Sequence, residues 1–535
     1  MSPLLSKHLL SFLLAGSSLL QGALAIPAAE LARRSLKTCV TSALQGSDIA
    51  RRVVLPSDDT WPDASVGAMI KPETPAIIAF AFDADEIPAL LQCATSHGKR
   101  AVPRSGRHHF ESWSALNDTL VIDVAHIDDV TLSTDLQTAT VGAGASLGKI
   151  YTLLSQQGKA LVGGICPTVG IGGYLGTGGY SLQVRKLGMA VDHMVSFRII
   201  TADGNFLTVS PTSHPDLWWA ARGGGQFGII VDAVFHTYTL PRSSMVTIHF
   251  PDPTTRFLAT KTWHNWAPRQ VGEFTSQFNL YSDRSQFIGW YLGGTQAQLQ
   301  AILDESGLLD IPGAEVYIDG DCSTENSRMF WIDGTNECTQ DGPAYTNFLE
   351  SYNTPPIHLV PIQPELRFED DPPVPTGPLA DLWHRYDVTS KTYFVLKSNP
   401  LSEATLEEFV DRSGALPAEA GFWAEITSFN ITAPPTTGSF PWQDDAYVLQ
   451  RVQVAGGEAN KAWLNDFDDF YRPEVGGASY SGYIDSTIGQ NSNPYTAYYG
   501  DNICRLIDVK NQYDPTDFFK NPFSIPTSAP AGITC

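Results

Sequence analysis

From about residue 75 to residue 243, short apolar runs rich in valine and isoleucine alternate with helix-like stretches and glycine-rich turns. "AIIAFAF", residues 76–82, is an uninterrupted apolar run of strand length. In "ADEIPALLQCATSHG" the apolar positions recur at helical spacing, and Gly98 closes the helix. "TLVIDVAHI", "TATVGAGA" and "VSFRIITADGNFLTV" read as further strands and a hairpin. Such alternation predicts an α/β or α+β region.

Beyond Leu240-Pro241 the runs lengthen and alternate, as in "FTSQFNLYSD" and "QFIGWYLGG", and a helical pattern follows in "TQAQLQAILDESG". This predicts a second domain, an antiparallel sheet with helices on one face. A proline-rich passage, Asn353–Pro378, reads as a surface loop. A second strand and helix are expected in "TSKTYFVLKSNPLSEATLEEFVDRSG", with Ser402 as N-cap and Glu403 in the first turn.

With 535 residues, 43% of them hydrophobic and 17% charged, the chain can bury large cores in two or more domains. Residues 1–25 carry Lys7 and His8, a broken apolar run and small residues at Ala23 and Ala25, which predicts a signal peptide and a secreted, extracellular protein. A net charge of -23 repels phosphate backbones and anionic bilayers, which argues against nucleic-acid and membrane-surface roles. Two glycosylation sequons, at Asn117 and Asn430, are compatible with export. Seven cysteines, at 39, 93, 166, 322, 338, 504 and 535, raise the question of what the odd one does.

The most unusual run is "LVGGICPTVGIGGYLGTGGYS", Leu161–Ser181, with eight glycines in 21 residues interleaved with apolar side chains. Glycine serves where backbone must approach a ligand closely or take positive φ, so the run predicts amides wrapped around an extended, phosphorylated cofactor. No GxxxxGK[ST] occurs, and "GAGASLG" at 142–148 does not match GxGxxG, which disfavours a nicotinamide-binding Rossmann domain. "RSGRHH", Arg104–His109, is a second candidate, either a polar loop, a metal site or a cofactor holder. Adjacent histidines do not easily face one ion, and no HxxxH or CxxC supports a metal, so none is expected.

Together "RSGRHH", "GGICPTVGIGGYLGTGGYS", "LGMAVDHMVSFRIITADG", "HPDLWWAARGGGQFGIIV" and "YYGDNICRLIDVKNQYDPTDFFKNPFSIP" resemble the berberine-bridge-enzyme-like FAD-linked oxidases of the vanillyl-alcohol-oxidase fold. The resemblance covers both ends of a flavin domain; residues 245–475 resemble the family mainly in pattern. It implies an α+β, two-domain vanillyl-alcohol-oxidase-type fold with an antiparallel-sheet substrate domain. After the signal peptide, residues 26–70 form an N-terminal segment, 71–243 the FAD-binding domain (PCMH type) and 244–497 the substrate domain. Residues 498–535 then return to the flavin domain.

The resemblance further implies a bicovalent FAD, bonded through the His108 ring to the flavin 8α carbon and through Cys166 to C6. Arg104, Ser105, Gly106, Arg107, Val169, Gly170, Gly172, Gly173, Gly176, Gly228, Ile229 and Asn502 would line the cofactor. Arg107 stands where the family has glycine, so either its φ is negative or its side chain reaches the flavin pyrophosphate. Val169 matches the small residue that admits dioxygen in the oxidase members. With Cys166 committed to flavin, six cysteines remain for three disulfides. Cys39–Cys93 resembles the family's N-terminal bridge; of the fifteen possible pairings the rest stay open, with Cys322–Cys338 and Cys504–Cys535 the guess from proximity and elimination.

By the same resemblance Tyr483 in "SYSGYIDSTIG" is a candidate base, with Tyr480 beside it, and Glu425, on the strand where berberine bridge enzymes carry a glutamate base, is the other candidate. In "GFWAEITSF" the aspartate of carbohydrate-oxidising members falls at Thr427, and Glu425, two residues earlier, shares that strand face. The expected protein is therefore a monomeric, secreted FAD-dependent oxidase acting on a small molecule or oligosaccharide with dioxygen. Its leading reaction is oxidation of an aldose or oligosaccharide at the anomeric carbon to a lactone, with release of hydrogen peroxide. The alternative is oxidation of an alcohol or alkaloid-like metabolite, with or without ring formation.

Overall fold

A computed structural model describes residues 28–65, 67–69, 73–166, 168–322, 387–433, 438–490 and 492–535. The expected signal peptide, the proline-rich passage and Cys338 lie outside the described residues.

Among the described residues, three sheets carry the architecture. The first has the order Val53–Val54, Ile77–Phe80, Leu120–Asp123, Ala101–Arg104, its last three strands parallel. The strands Ile77–Phe80 and Leu120–Asp123 are buried on both faces, which is why their sequences are continuously apolar rather than alternating. The second sheet is antiparallel, in the order Val130–Leu132, Thr138–Gly142, Ile229–His236, Met194–Ile200, Phe206–Val209. The hairpin expected in "VSFRIITADGNFLTV" is the pair Met194–Ile200 and Phe206–Val209. The expected first helix forms as a 3-10 turn, Ala84–Glu86, running into Ile87–Ser96, with Gly98 at φ +65° ending it. A disulfide, Cys39–Cys93, ties this helix to Ala28–Ala43.

The third sheet is antiparallel and seven-stranded, in the order Glu315–Cys322, Ser243–Phe250, Ser285–Leu292, Phe274–Tyr281, Trp423–Ser428, Ala446–Ala455, Val388–Leu396. Its strands alternate. Phe278, Leu280, Phe287, Ala424, Ile426 and Val452 point into a core filled by Trp263, Phe409, Phe467 and Tyr471 of the covering helices. The opposite face carries Gln277, Asn279, Glu425, Thr427, Arg451 and Gln453, set side by side by the strand register. A sheet with helices on one face therefore presents a polar face on the other, and that face bears the candidate chemistry. Ser402 caps the helix Glu403–Gly414 by accepting from Thr405 N, as its sequence predicts.

The chain's last helix, Ile503–Tyr513, packs on Pro215–Gly224, sharing a core with Leu217 and Trp218. Lys510 is fully buried there, held by Asp514 at 2.8 Å and by the carbonyls of Gln226 and Phe519. A disulfide, Cys504–Cys535, fixes the tail.

Arg185, on Val184–Leu187, joins the glycine-rich region to the large sheet. Its buried guanidinium donates to the carbonyls of Ala267, Pro268, Gln270, Val271, Phe274 and Asn430, and its own carbonyl accepts from Thr432 Oγ1 at 2.8 Å. Removing one cation would strand several buried acceptors at about 1–3 kcal/mol each. Arg185→Met is thus expected to lose at least about 3 kcal/mol of stability, measurable as a shift of the denaturant midpoint; an unchanged midpoint would show that water replaces the guanidinium.

Candidate active site

The turn that carries His108 leaves the end of the strand Ala101–Arg104. Register places Arg104 beside Asp123 on the parallel neighbour, and Arg104 Nε donates to Asp123 Oδ2 at 2.7 Å while Nη1 donates to Ala64 O at 2.7 Å. Arg107 Nη2 donates to the same carboxylate oxygen at 3.1 Å, and Ala125 N donates to the other at 3.0 Å. Burial alone would push Asp123 up, but Arg104, Arg107 and the Ala125 amide outweigh it and hold the carboxyl below its ordinary value.

Arg107 departs from a negative φ. Its φ is +59°, and its Nη2 is held by Asp123 beside the Phe80 ring, while Nε and Nη1 are buried without a partner among the described residues. A non-glycine residue in this region costs about 1 kcal/mol, and the buried ion pair offsets that strain. The turn geometry of glycine is kept without glycine.

Past this anchor, Gly106 and Gly170 meet backbone to backbone. A Cβ on Gly106 would lie 2.0 Å from Gly170 N, and one on Gly170 would lie 2.0 Å from Ser105 Oγ. This contact needs glycine on both sides, and it brings the His108 turn against the Cys166 loop. Ser105 Oγ donates to Ala143 O at 2.7 Å, and a Cβ on Gly172 would meet that same carbonyl. Gly173 faces open space among the described residues, Gly176 lies against Gly225, and Gly228 packs under Ile200 O at the start of the strand opened by Ile229.

The His108 ring is hydrogen-bonded between Nε2 and Thr168 Oγ1 at 2.8 Å, and burial lowers its pKa to about 4. It is therefore a neutral imidazole near neutral pH. His109 plays another part: its Nδ1 accepts from Glu111 N at 3.1 Å and Trp113 N at 3.4 Å, bracing the turn. Cys166 is the free cysteine among the described residues, and its side chain is solvent-accessible. It opens onto a cleft deep enough that surrounding protein pushes its thiol up to about 11, against the pull of Arg451. Val169 is half-buried against the adjoining core, and Asn502 Nδ2 donates to Ser439 O at 3.0 Å.

The polar face of the large sheet closes this cleft. Glu425 and Arg451 are direct cross-strand partners joined at 2.6 Å. The Arg451 guanidinium lies 4.7 Å from the Trp423 ring, 5.1 Å from Tyr483 and 5.5 Å from Phe110, the residue next to His109. Tyr483 in turn stands edge-on to Phe110 at 4.9 Å and to Tyr480 at 5.3 Å. Burial, then the Glu425 charge, push the Tyr483 phenol well above its ordinary value, while Arg451 pulls it back. Tyr480 is committed elsewhere: its hydroxyl accepts from Tyr180 N at 3.2 Å and meets Thr177 Oγ1 at 3.3 Å, fastening the 480–483 turn to the glycine-rich run. Thr427 is buried two residues from Glu425 on the same face.

The residues fit a flavin: an open thiol, a neutral imidazole and glycine backbone converge beneath an aromatic wall. Two family descriptions match, "FAD binding domain" over residues 75–210 and "Berberine and berberine like" over residues 479–526. The FAD-linked oxidoreductase pynB of Aspergillus niger is 42% identical over 515 residues, 94% of each chain. The chain belongs to the berberine-bridge-enzyme-like FAD-linked oxidoreductases. Within this family, the chitooligosaccharide oxidase of Gibberella zeae is 25% identical over 513 residues, covering 93% of this chain and 95% of its own. Among solved structures, wild-type Physcomitrella patens BBE-like 1 superposes with a TM-score of 0.74 at 22% identity, covering 92% of this chain and 99% of its own. A xylooligosaccharide oxidase from Myceliophthora thermophila superposes with a TM-score of 0.72 at 22% identity, covering 92% and 99%.

Sequence reasoning missed Asp123, Thr168, Phe110, Trp423 and Arg451. Alternation in "AYVLQRVQVA" could have put Arg451 on the polar face with Gln453; only the register shows that its partner is Glu425. Asp123 is the test of the loop anchor. Asp123→Asn leaves two buried guanidinium groups uncompensated, at a cost of about 3–5 kcal/mol. Because the folded pKa is depressed, this contribution is complete above the usual carboxylate range of about 4 and is lost as pH falls through the lowered value. Wild type and Asp123→Asn should thus converge in stability in acid and diverge above it; a pH-independent gap would contradict the ion-pair account.

Proposed function

We propose that the protein is an exported oxidase holding FAD through both His108 and Cys166, passing electrons to dioxygen, and oxidising a hydroxyl-bearing small molecule with an aromatic or flat body. Export is supported by the disulfides Cys39–Cys93 and Cys504–Cys535, which need an oxidising compartment. The double attachment is supported by a free, accessible thiol and a neutral imidazole on loops in backbone contact, and by a solved relative, the Acremonium strictum glucooligosaccharide oxidase, described with a 6-S-cysteinyl, 8α-N1-histidyl FAD. The small Val169 supports oxygen as acceptor.

The observation that carries the substrate reading is the Glu425–Arg451 pair enclosed by Trp423, Tyr483 and Phe110. Flat rings and a cation over them suit a flat donor. The neighbouring amides are already satisfied: Gln277 Nε2 and Trp423 Nε1 both donate to Asn279 Oδ1, and Asn279 Nδ2 donates to Gln286. That network commits Gln277, Trp423 and Asn279 to one another beside the pair. The oligosaccharide reading, with a lactone as product, stands second and rests on the named carbohydrate oxidases among the relatives.

When bound, FAD supplies the acceptor for the hydride that leaves the carbinol carbon. Tyr483 takes the hydroxyl proton. Its phenolate is favoured by the Arg451 cation at the ring, and Glu425 holds that cation in place by its 2.6 Å bond. The Phe110 and Trp423 rings flank the pair.

Tyr483→Phe should slow flavin reduction about 10²-fold or more, and Arg451→Met should slow it as well, by removing the cation that steadies the phenolate. Because the phenol is raised, wild-type reduction should quicken as pH rises toward the alkaline side. Anaerobic bleaching of the flavin by a panel of aromatic alcohols, cello-, xylo- and chitooligosaccharides separates the substrate readings; bleaching by the sugars alone would sink the flat-donor reading.

A further inference from the structure

Thr168 lies two residues after Cys166 in a turn closed by Val169 N donating to Cys166 O at 3.2 Å. It is 3% exposed, and its carbonyl lies against Gly106, where an added Cβ would meet it at 2.9 Å. Its hydroxyl therefore has little freedom, and it meets His108 Nε2 at 2.8 Å. Among the described residues His108 Nδ1 has no hydrogen-bond partner.

This geometry has a chemical consequence. A neutral imidazole carries its proton on one nitrogen, and the other holds the nucleophilic lone pair. In the tautomer whose Nε2–H donates to Thr168 Oγ1, the lone pair sits on Nδ1, the nitrogen left open. We propose that Thr168 is the positioning residue for the histidyl attachment, fixing the His108 ring and its tautomer so that Nδ1 bonds the flavin ring methyl. The proposal rests on the double-attachment reading above.

In this step the Nδ1 lone pair forms the new N–C bond. The methyl gives up one hydrogen, and the imidazole gives up the Nε2 proton to solvent. The two electrons and two protons released reduce dioxygen to hydrogen peroxide, so atoms and charges balance. Once bonded, Nε2 is an acceptor. A threonine hydroxyl serves both states, accepting before the bond forms and donating after it. Valine has the shape without either capacity, and serine has both.

Thr168→Val, Thr168→Ala and Thr168→Ser are expressed beside wild type, digested, and the masses of the peptides containing His108 and Cys166 are measured over time. Expected are a flavin-bearing His108 peptide in wild type and Thr168→Ser, and a His108-linked fraction about tenfold lower in Thr168→Val and Thr168→Ala, the size of one hydrogen bond. The Cys166 peptide should remain linked in all four, which also reports an intact fold. Wild-type yield at His108 in either hydroxyl-free variant would overturn the proposal. Loss of both linkages in both of those variants would overturn it too, since the threonine would then hold the loop rather than the ring. An unmodified His108 peptide in wild type would instead sink the double-attachment reading itself. Alanine guards against valine failing only by packing.

Discussion

One buried carboxylate organises the cofactor side of the cleft. Asp123 sits at the end of a parallel strand with guanidinium groups of Arg104 and Arg107 on the same oxygen and the Ala125 amide on the other. The pair fixes the exit direction of the 104–109 turn and compensates the positive φ of Arg107. Everything the turn carries inherits that position: Gly106 against Gly170, His108 on Thr168, and Phe110 against Tyr483 and Arg451. A loop held by one doubly paired ion can be narrow and still be rigid enough to meet a second loop at van der Waals distance.

The substrate side follows from the period of a strand. Alternation puts the apolar residues of the seven-stranded sheet under its helices and leaves polar residues on the other face. Register then pairs Glu425 with Arg451, and aromatic rings stand around the guanidinium. Arg185 and Tyr480 are the fasteners between this sheet and the glycine-rich run, one through backbone carbonyls and the other through a backbone amide. Tyr480 and Tyr483, three residues apart, thus have different work: one holds the turn, and the other faces the cation.

Much of this was legible in the sequence because it depends on local chemistry. The hairpin ending at Val209, the helix closed by Gly98 and the Ser402 cap follow from periodicity and capping alone. The glycine run announced a close backbone approach, and the odd cysteine announced a free thiol. The positive φ of Arg107 was not legible, because an isolated sequence does not reveal that Asp123 offers a buried partner for an arginine in a glycine conformation. Arg451 was missed for the same reason: cross-strand register is a tertiary fact. Thr168 was hidden inside a motif read for its glycines and its cysteine.

His108 and Cys166 are proposed to bond the same flavin beneath the Tyr483–Arg451 wall. The intact mass of the purified protein after denaturation tests it most directly. Expected is a yellow chain heavier by one FAD, less two hydrogens for each bond formed, with no flavin in the supernatant. A colourless chain at its unmodified mass, with all of the FAD released, would contradict it.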